Sequence, residues 1–127
     1  MDEKKPFSLK KRLLSFRYAF KGIAHLVIRE HNFRIHLIAM VLVIAAGLIL
    51  GLSSAEWLVI IITIGMVLIT ETLNSVVEKL CDIIAPGEDT RIKIIKDMMA
   101  AAVLIAAIIS VVIGLIIFIP HILACIL

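Results

Sequence analysis

Two carboxylates and an amide lie close together in an apolar part of the chain that is long enough to cross a membrane, the segment Glu71-Thr-Leu-Asn-Ser-Val-Val-Glu78. In a helix with about 100° per residue, Glu71, Asn74 and Glu78 fall at roughly 0°, 300° and 340°, and Asp82 at about 20°. All four therefore share one face. A charge at membrane depth costs at least about 2.5 kcal/mol on insertion scales and is by default a candidate functional group. Glu78 and Asp82 have a second interpretation, as the solvated end of a long helix, which fits Glu71 and Asn74 less well.

The residue types on this face favour one kind of chemistry. Carboxylates with an amide suit a hard divalent cation such as Mg²⁺, which keeps several waters and binds through one or two carboxylates plus substrate phosphates. Glu71, the deepest carboxylate, is placed to accept a proton from a hydroxyl group carried by a lipid. Lys96 and a helix N-terminus predicted at Lys96-Asp97 would neutralise phosphate charge. Together these groups indicate phosphoryl transfer from a nucleotide to a lipid alcohol.

The composition indicates an integral membrane protein. The chain has 127 residues, 62% of them hydrophobic, which is well above the 45–50% typical of soluble domains. Its mean hydropathy is +1.15. The net charge of +3 is not interpreted as a nucleic-acid footprint, because the basic residues flank apolar segments and no nucleic-acid-binding motif accompanies them. The glycines form neither a P-loop nor a dinucleotide-binding fingerprint, and the histidines form no H-E-x-x-H zinc motif.

Three apolar segments predict an all-α membrane protein with three transmembrane helices. The middle segment is short, but no Pro or Gly interrupts the chain between Glu71 and Ala85. Its helix should therefore continue to the Pro86-Gly87 break and reach about 43 Å. The G-x-x-x-G pattern Gly47-Leu-Ile-Leu-Gly51 predicts that another helix can approach closely, because glycine has no side chain. The expected spans are residues 35–52, 56–84 and 97–119, in a single membrane-embedded domain covering residues 1–127.

An amphipathic helix is predicted before the first span, at about residues 8–31. Its apolar residues recur at spacings of four and three, and its basic residues lie off that stripe. Such a helix is expected to lie in the membrane interface with its apolar face among the acyl chains. The apolar stripe consists of Leu9, Leu13, Phe16, Phe20, Ile23 and Val27.

The distribution of basic residues predicts the orientation. All 13 Lys and Arg residues lie either in the first 34 residues or between Lys79 and Lys96. By the positive-inside rule both regions are cytoplasmic, while the 53–56 turn and the C-terminus are outside. Six polar residues from three segments then converge at the cytoplasmic third of the molecule: Glu30, Glu71, Asn74, Glu78, Lys96 and Asp97.

Two blocks of the sequence resemble the bacterial integral-membrane diacylglycerol kinase and undecaprenol kinase family. They are the E-x-L-N-S-x-x-E block that begins at Glu71 and the K-D-M block that begins at Lys96, separated by the family's spacing. The resemblance extends from about Ser15 to Ile119. It implies a homotrimer with three spans and a surface helix per chain, in the bacterial inner membrane, that uses MgATP to phosphorylate a membrane lipid. The segments 29–36 and 114–120 look more like the undecaprenol branch than the diacylglycerol branch.

The resemblance also implies roles for individual residues. Glu71 looks like the catalytic base, Glu30 and Glu78 look like the magnesium ligands, and Asn74 looks like a phosphate-positioning residue. The loop Gly87-Glu-Asp-Thr90 departs from the family pattern, and Glu88 and Asp89 are its candidate nucleotide contacts. Four further residues match nucleotide- or lipid-cleft positions of the family: Lys11, Tyr18, Lys96 and Asp97.

Two alternatives belong to other classes of protein. In a small oligomeric channel or transporter, Glu71 and Asn74 would line a pore. This reading is disfavoured because Trp57–Ile69 offers only Thr63 as a polar group. In a structural membrane subunit, the acids would be boundary residues that glutamine could replace at little cost.

Overall fold

The computed structural model describes residues 6–127, and the secondary structure in this range is entirely helical. Four helices follow one another in the described range: α1 (Leu9–Arg29), α2 (His31–Leu50), α3 (Ser54–Ile84) and α4 (Thr90–Ile126). Helices α2, α3 and α4 are each long and apolar enough to cross a membrane. The predicted all-α fold with three candidate spans is thus confirmed, whereas the membrane-surface position of α1 stays a prediction.

A single extended residue separates α1 from α2. Glu30 has φ −98° and ψ 113°, so it ends the first helix and precedes the second. Its N–H still donates to the Leu26 carbonyl at 2.9 Å. The chain therefore changes direction at Glu30, which places this carboxylate at one end of the helical bundle.

The short turn after α2 corrects one expectation about glycine. Gly51 has φ +72°, a left-handed conformation that glycine adopts without steric cost, and it ends α2. Gly47 does allow close packing, because a Cβ there would lie 2.8 Å from the Trp57 ring and 2.9 Å from the Leu52 side chain. The pair Gly47 and Gly51 is therefore one packing residue and one helix cap, and it does not form a continuous packing surface.

Local sequence signals determine both ends of α3, the helix that carries Glu71 and Asn74. At its start, the Ser53 hydroxyl accepts from the Glu56 N–H and the Glu56 carboxylate accepts from the Ser53 N–H, which forms a capping box. The helix then runs without interruption to Ile84, just before Pro86. The extension past the apolar segment is as expected, since nothing before Pro86 breaks the helix.

Helix α4 begins earlier than its apolar segment indicates. Its N-cap is Asp89, whose side chain accepts from the Arg91 N–H at 2.8 Å. No Pro or Gly follows until Gly114, so the helix forms before the apolar segment starts. The prediction of a helix N-terminus at Lys96-Asp97 is therefore wrong, and both residues lie within the second and third turns of α4.

The helices pack around α3, which forms its largest interface with α4 and a smaller one with α2, while α1 contacts α2. A small apolar core of Leu52, Ile60 and Ile117 lies near the Gly51 turn. Most other large apolar side chains of the three long helices are exposed, as expected for surfaces that face lipid or another protein. We call the end with Glu30 and the Ala85–Asp89 loop the loop end, and the end with the Gly51 turn the turn end.

Candidate active site

Glu71 is the most deeply buried charged side chain in the described chain. Only 2% of its surface is exposed, and the neighbouring Asn74 is 4% exposed. Both belong to the buried face of α3, because residues three and four positions apart lie one above the other on a helix. Within residues 6–127, neither the Glu71 Oε2 atom nor the Asn74 Oδ1 atom has a hydrogen-bond partner. Buried polar atoms are almost always paired, so two orphaned oxygens on one face call for a ligand or a functional explanation.

His36 of α2 is the side chain that faces the orphaned carboxylate oxygen. Its Nε2 atom lies 3.8 Å from Glu71 Oε2, which is longer than a hydrogen bond. The side chain of His36 is 21% exposed. The acidic groups whose charge acts on Glu71 are Glu78 and Glu30. The side-chain amide of Asn32, also on α2, acts on the same carboxyl group without forming a hydrogen bond to Oε2. The carboxylate therefore lies among one imidazole, one amide and two other acids.

The predicted face of α3 is present, but its members have different environments. Glu71 and Asn74 are buried, whereas Glu78 and Asp82 are exposed at the loop end. The face thus runs from the interior of the bundle to its surface. This gradient would allow a metal or phosphate group to approach from the loop end while the deepest carboxylate remains shielded.

Glu30 reaches the same region from the joint between α1 and α2. Its carboxylate forms an ion pair with the Lys79 ammonium group of α3. This ion pair links the connection between α1 and α2 to α3, the helix that carries Glu71 and Glu78. Lys79 was not among the residues selected from the sequence, since nothing in the linear spacing indicates which carboxylate faces it.

A charged pocket of about 670 Å³ lies at the loop end. Lys96 lines it and pairs with Asp82 of α3, so a predicted nucleotide residue and a residue of the α3 face meet there. Arg91 donates to Asp89, and these hydrogen bonds lower the pKa of the Asp89 carboxyl below its usual range. The pocket is lined by Asp82, Ala85, Pro86, Gly87, Glu88, Asp89, Thr90, Ile92, Lys93 and Lys96.

Several predicted residues do not line this pocket: Lys11, Tyr18, Glu30, Asn74, Glu78 and Asp97. Asp97 follows Lys96 on α4 and is exposed, without contributing to the pocket lining. Lys11 and Tyr18 are exposed on α1, and the Tyr18 ring lies 5.9 Å from the Lys21 ammonium group. In this arrangement the structure brings neither residue of α1 to the charged pocket.

The oxygen-rich donor set fits a magnesium ion held together with phosphates. No group of three or more His, Cys, Asp or Glu side chains forms a complete metal cage in the described part of the chain. Mg²⁺ does not need one, because it commonly takes one or two carboxylates, waters and substrate phosphates. Glu30 and Glu78, with the orphaned Asn74 oxygen nearby on α3, are the residues that could hold it.

Fold and site together define a helical membrane protein with a buried acidic site at one end of the bundle, and comparisons with known proteins specify it further. Residues 17–118 match the prokaryotic diacylglycerol kinase family. The chain is 38% identical to the undecaprenol kinase of Bacillus subtilis over 84% of its own length and 86% of that protein. It is 37% identical to the diacylglycerol kinase of a Synechocystis species over 88% of its own length, and the match covers 65% of that protein.

The chain belongs to the prokaryotic diacylglycerol kinase family. It is accordingly a membrane-embedded lipid kinase, a transferase of lipid metabolism. The family resemblance noted from the Glu71 and Lys96 blocks is confirmed by these matches.

Proposed function

We propose that this lipid kinase transfers the γ-phosphate of MgATP to the hydroxyl group of undecaprenol or diacylglycerol at the cytoplasmic surface of the bacterial inner membrane. The observation that carries this proposal is the buried Glu71 carboxylate, whose Oε2 has no hydrogen bond in the described chain, on the same helix face as Asp82, which lines the charged pocket. Undecaprenol is the favoured alcohol, because the relative named for it matches over nearly its whole length.

In this proposal, the hydroxyl oxygen of the lipid attacks the γ-phosphorus, and Glu71 accepts the proton of that hydroxyl group. The new oxygen–phosphorus bond forms while the bond to the bridging oxygen of ADP breaks, and ADP leaves. Magnesium would neutralise charge on the phosphates. Glu30 and Glu78 would hold the ion, and Asn74 would orient a phosphate oxygen.

The nucleotide is assigned to the charged pocket at the loop end. Lys96 would neutralise phosphate charge by exchanging its Asp82 partner for the nucleotide, and Glu88 and Asp89 would contact the ribose or base. Asp97 is proposed to support this site from the next position on α4. Lys11 and Tyr18, which lie away from this pocket in the single chain, are proposed to contact the nucleotide or the lipid from α1. We propose that α1 lies in the membrane interface with its exposed apolar stripe in the lipid.

A homotrimer is proposed as the working assembly, with the N-terminus cytoplasmic and the C-terminus outside. The exposed apolar surfaces of α2 to α4 are compatible with packing between copies. If sites form between subunits, mixing Glu71→Gln chains with Glu78→Ala chains should restore part of the activity that each variant lacks. Failure of mixed oligomers to recover any activity would indicate that each site lies within one chain.

The direct test is phosphate transfer from ATP to undecaprenol and to diacylglycerol, measured side by side in mixed micelles with and without Mg²⁺. We expect magnesium-dependent transfer to at least one alcohol by the wild type, with undecaprenol faster, and loss of transfer in Glu71→Gln. Absence of transfer to both alcohols by the folded wild type would contradict the proposal. Faster transfer to diacylglycerol would contradict the choice of undecaprenol and would still support the proposed phosphate-transfer reaction.

A further inference from the structure

A carboxylate that acts as a base must present one oxygen to the substrate in a fixed orientation. The Glu71 Oε2 atom is buried and has no hydrogen bond within the described chain. Its own helix supplies no such bond, since the hydroxyls of both flanking threonines donate to backbone carbonyls: Thr70 to Met66 and Thr72 to Leu68. A group on another helix would supply the bond that Oε2 lacks.

His36 of α2 is positioned to be that group. Its Nε2 atom is 3.8 Å from Glu71 Oε2, and hydrogen bonds of catalytic groups are often long before substrate binds. Glu30 and Glu78 also act electrostatically on Glu71, but as acids they would repel its ionised form. The Asn32 amide of α2 also acts on this carboxyl group, but it forms no hydrogen bond to Oε2. His36 can instead donate a hydrogen bond from Nε2 in the tautomer that carries the proton there.

The surroundings of His36 connect it to an apolar cleft. This cleft of about 440 Å³ runs between α2, α3 and α4 from His36 toward the turn end. His36 is the one ionisable residue in its lining, and the other polar side chains there are Thr63 and Ser110. His36 therefore marks the point at which an apolar surface meets the buried carboxylate, where the polar group of an amphiphile would come to rest.

We infer that His36 is a positioning residue for Glu71: its Nε2–H donates to one Glu71 oxygen when the lipid alcohol is bound, and this leaves the other oxygen to face the hydroxyl. The inference rests on the proposed function of Glu71 as the base. His36 keeps its own proton throughout, and the proton of the alcohol goes to Glu71.

Two nearly isosteric substitutions separate this role from a structural one. The amide nitrogen of glutamine can replace Nε2–H, whereas the amide of asparagine is too short and replaces Nδ1–H. We expect His36→Gln to keep kcat within about threefold of wild type. His36→Asn should lower kcat by about 10- to 100-fold, the range seen when a group that orients a ligand is removed, while the KM for MgATP stays within about twofold.

A third variant supplies the coupling measurement. In a Glu71→Asp background the carboxylate is withdrawn from His36, so His36→Asn should cause little additional loss. His25→Asn, the same substitution on the exposed part of α1, is the matched control and should behave like wild type. Thermal unfolding of each purified variant in the same micelles establishes that the comparison is between folded proteins.

The outcomes are distinguishable from those of the proposed function. If the wild type is active and Glu71→Gln is inactive, but His36→Gln and His36→Asn have equal kcat values, the positioning role is wrong and the base assignment stands. If His36→Asn lowers kcat by the same factor in the Glu71→Asp variant as in the wild type, the positioning role is also wrong. If the wild type transfers no phosphate to either alcohol, the proposed function itself fails.

Discussion

Two of the carboxylates of helix α3, Glu56 at the turn end and Glu71 toward the loop end, have opposite environments. At the turn end, Glu56 accepts from the Ser53 N–H at 2.8 Å, and its oxygens lie 3.0 and 3.1 Å from His121 Nε2 of α4. Toward the loop end, Glu71 is buried and its Oε2 has no hydrogen bond among residues 6–127. The first carboxylate is used to join elements of the fold. The second is left available, which is expected of a group that must interact with a substrate.

This difference suggests how a glutamate on one helix can stabilise the fold at one position and take part in catalysis at another. A satisfied carboxylate stabilises the folded state, because its bonds are present before any ligand arrives. An unsatisfied buried carboxylate destabilises the folded state until a ligand or substrate completes its environment. Mutations at the two positions should therefore have opposite effects on stability and unequal effects on activity.

The largest expected effect is on catalysis at Glu71. Glu71→Gln should lower kcat for phosphate transfer by about 10²- to 10⁴-fold, the usual contribution of a general base. Glu56→Gln, the same change on the same helix, should keep the rate within about twofold, because Glu56 contacts only elements of the turn end. Steady-state kinetics in the same micelles would measure kcat for both variants. An equal loss of kcat in the two would contradict the different roles assigned to Glu71 and Glu56.

A second comparison uses the orphaned amide of Asn74. Asn74→Ala should raise the KM for MgATP by about tenfold, since an oxygen assigned to a phosphate or its magnesium ion is lost. The matched control is Thr70→Val. The Thr70 hydroxyl already donates to the Met66 carbonyl at 2.7 Å, so its removal should leave KM unchanged. A normal KM in Asn74→Ala would remove Asn74 from the nucleotide site.

The turn end offers a comparison of packing that does not involve charge. Gly47→Ala should destabilise the protein by about 1–3 kcal/mol, because the added Cβ would lie 2.8 Å from the Trp57 ring. Gly65→Ala is the control, since nothing lies within 4 Å of a Cβ there. That variant should be stabilised by up to about 1 kcal/mol through helix propensity. Denaturation by a graded detergent or heat would show whether the two alanines act in opposite directions.

The smallest effect is expected at the Glu56 and His121 contact. His121→Gln should lower Tm by about 2–5 °C, as expected for the loss of one partly exposed polar link. The double variant Glu56→Gln with His121→Gln should lose less than the sum of the two single variants, because they share one interaction. Additive losses in thermal unfolding would show that the two side chains are not coupled.

The architecture could largely be predicted from local sequence signals. The periodicity of Glu71, Asn74 and Glu78 placed them on one face, and the absence of a helix breaker before Pro86 predicted the long α3. These conclusions depend only on the geometry of a single helix. The start of α4 was predicted wrongly because it was taken from the apolar segment, which indicates the depth of a membrane span, whereas the helix itself begins at its capping residue, Asp89.

Contacts between helices could not be obtained in this way. His36 faces Glu71 because α2 packs on α3 at a particular rotation, and no local pattern specifies that rotation. The pairs of Glu30 with Lys79 and of Lys96 with Asp82 likewise join distant segments. The acids of the candidate site and Lys96 could therefore be predicted from the sequence, whereas Lys79, His36 and the pairing of Lys96 with Asp82 became visible only in the folded chain.

The most direct test of the central claim is to measure the Tm and the phosphate-transfer rate of Glu71→Gln in one preparation. Because the substitution removes a buried carboxyl oxygen that has no hydrogen bond in the described chain, we expect a Tm equal to or above that of the wild type together with loss of transfer. A variant that loses both stability and transfer would show that Glu71 supports the fold. A variant that retains transfer would contradict its role as the base.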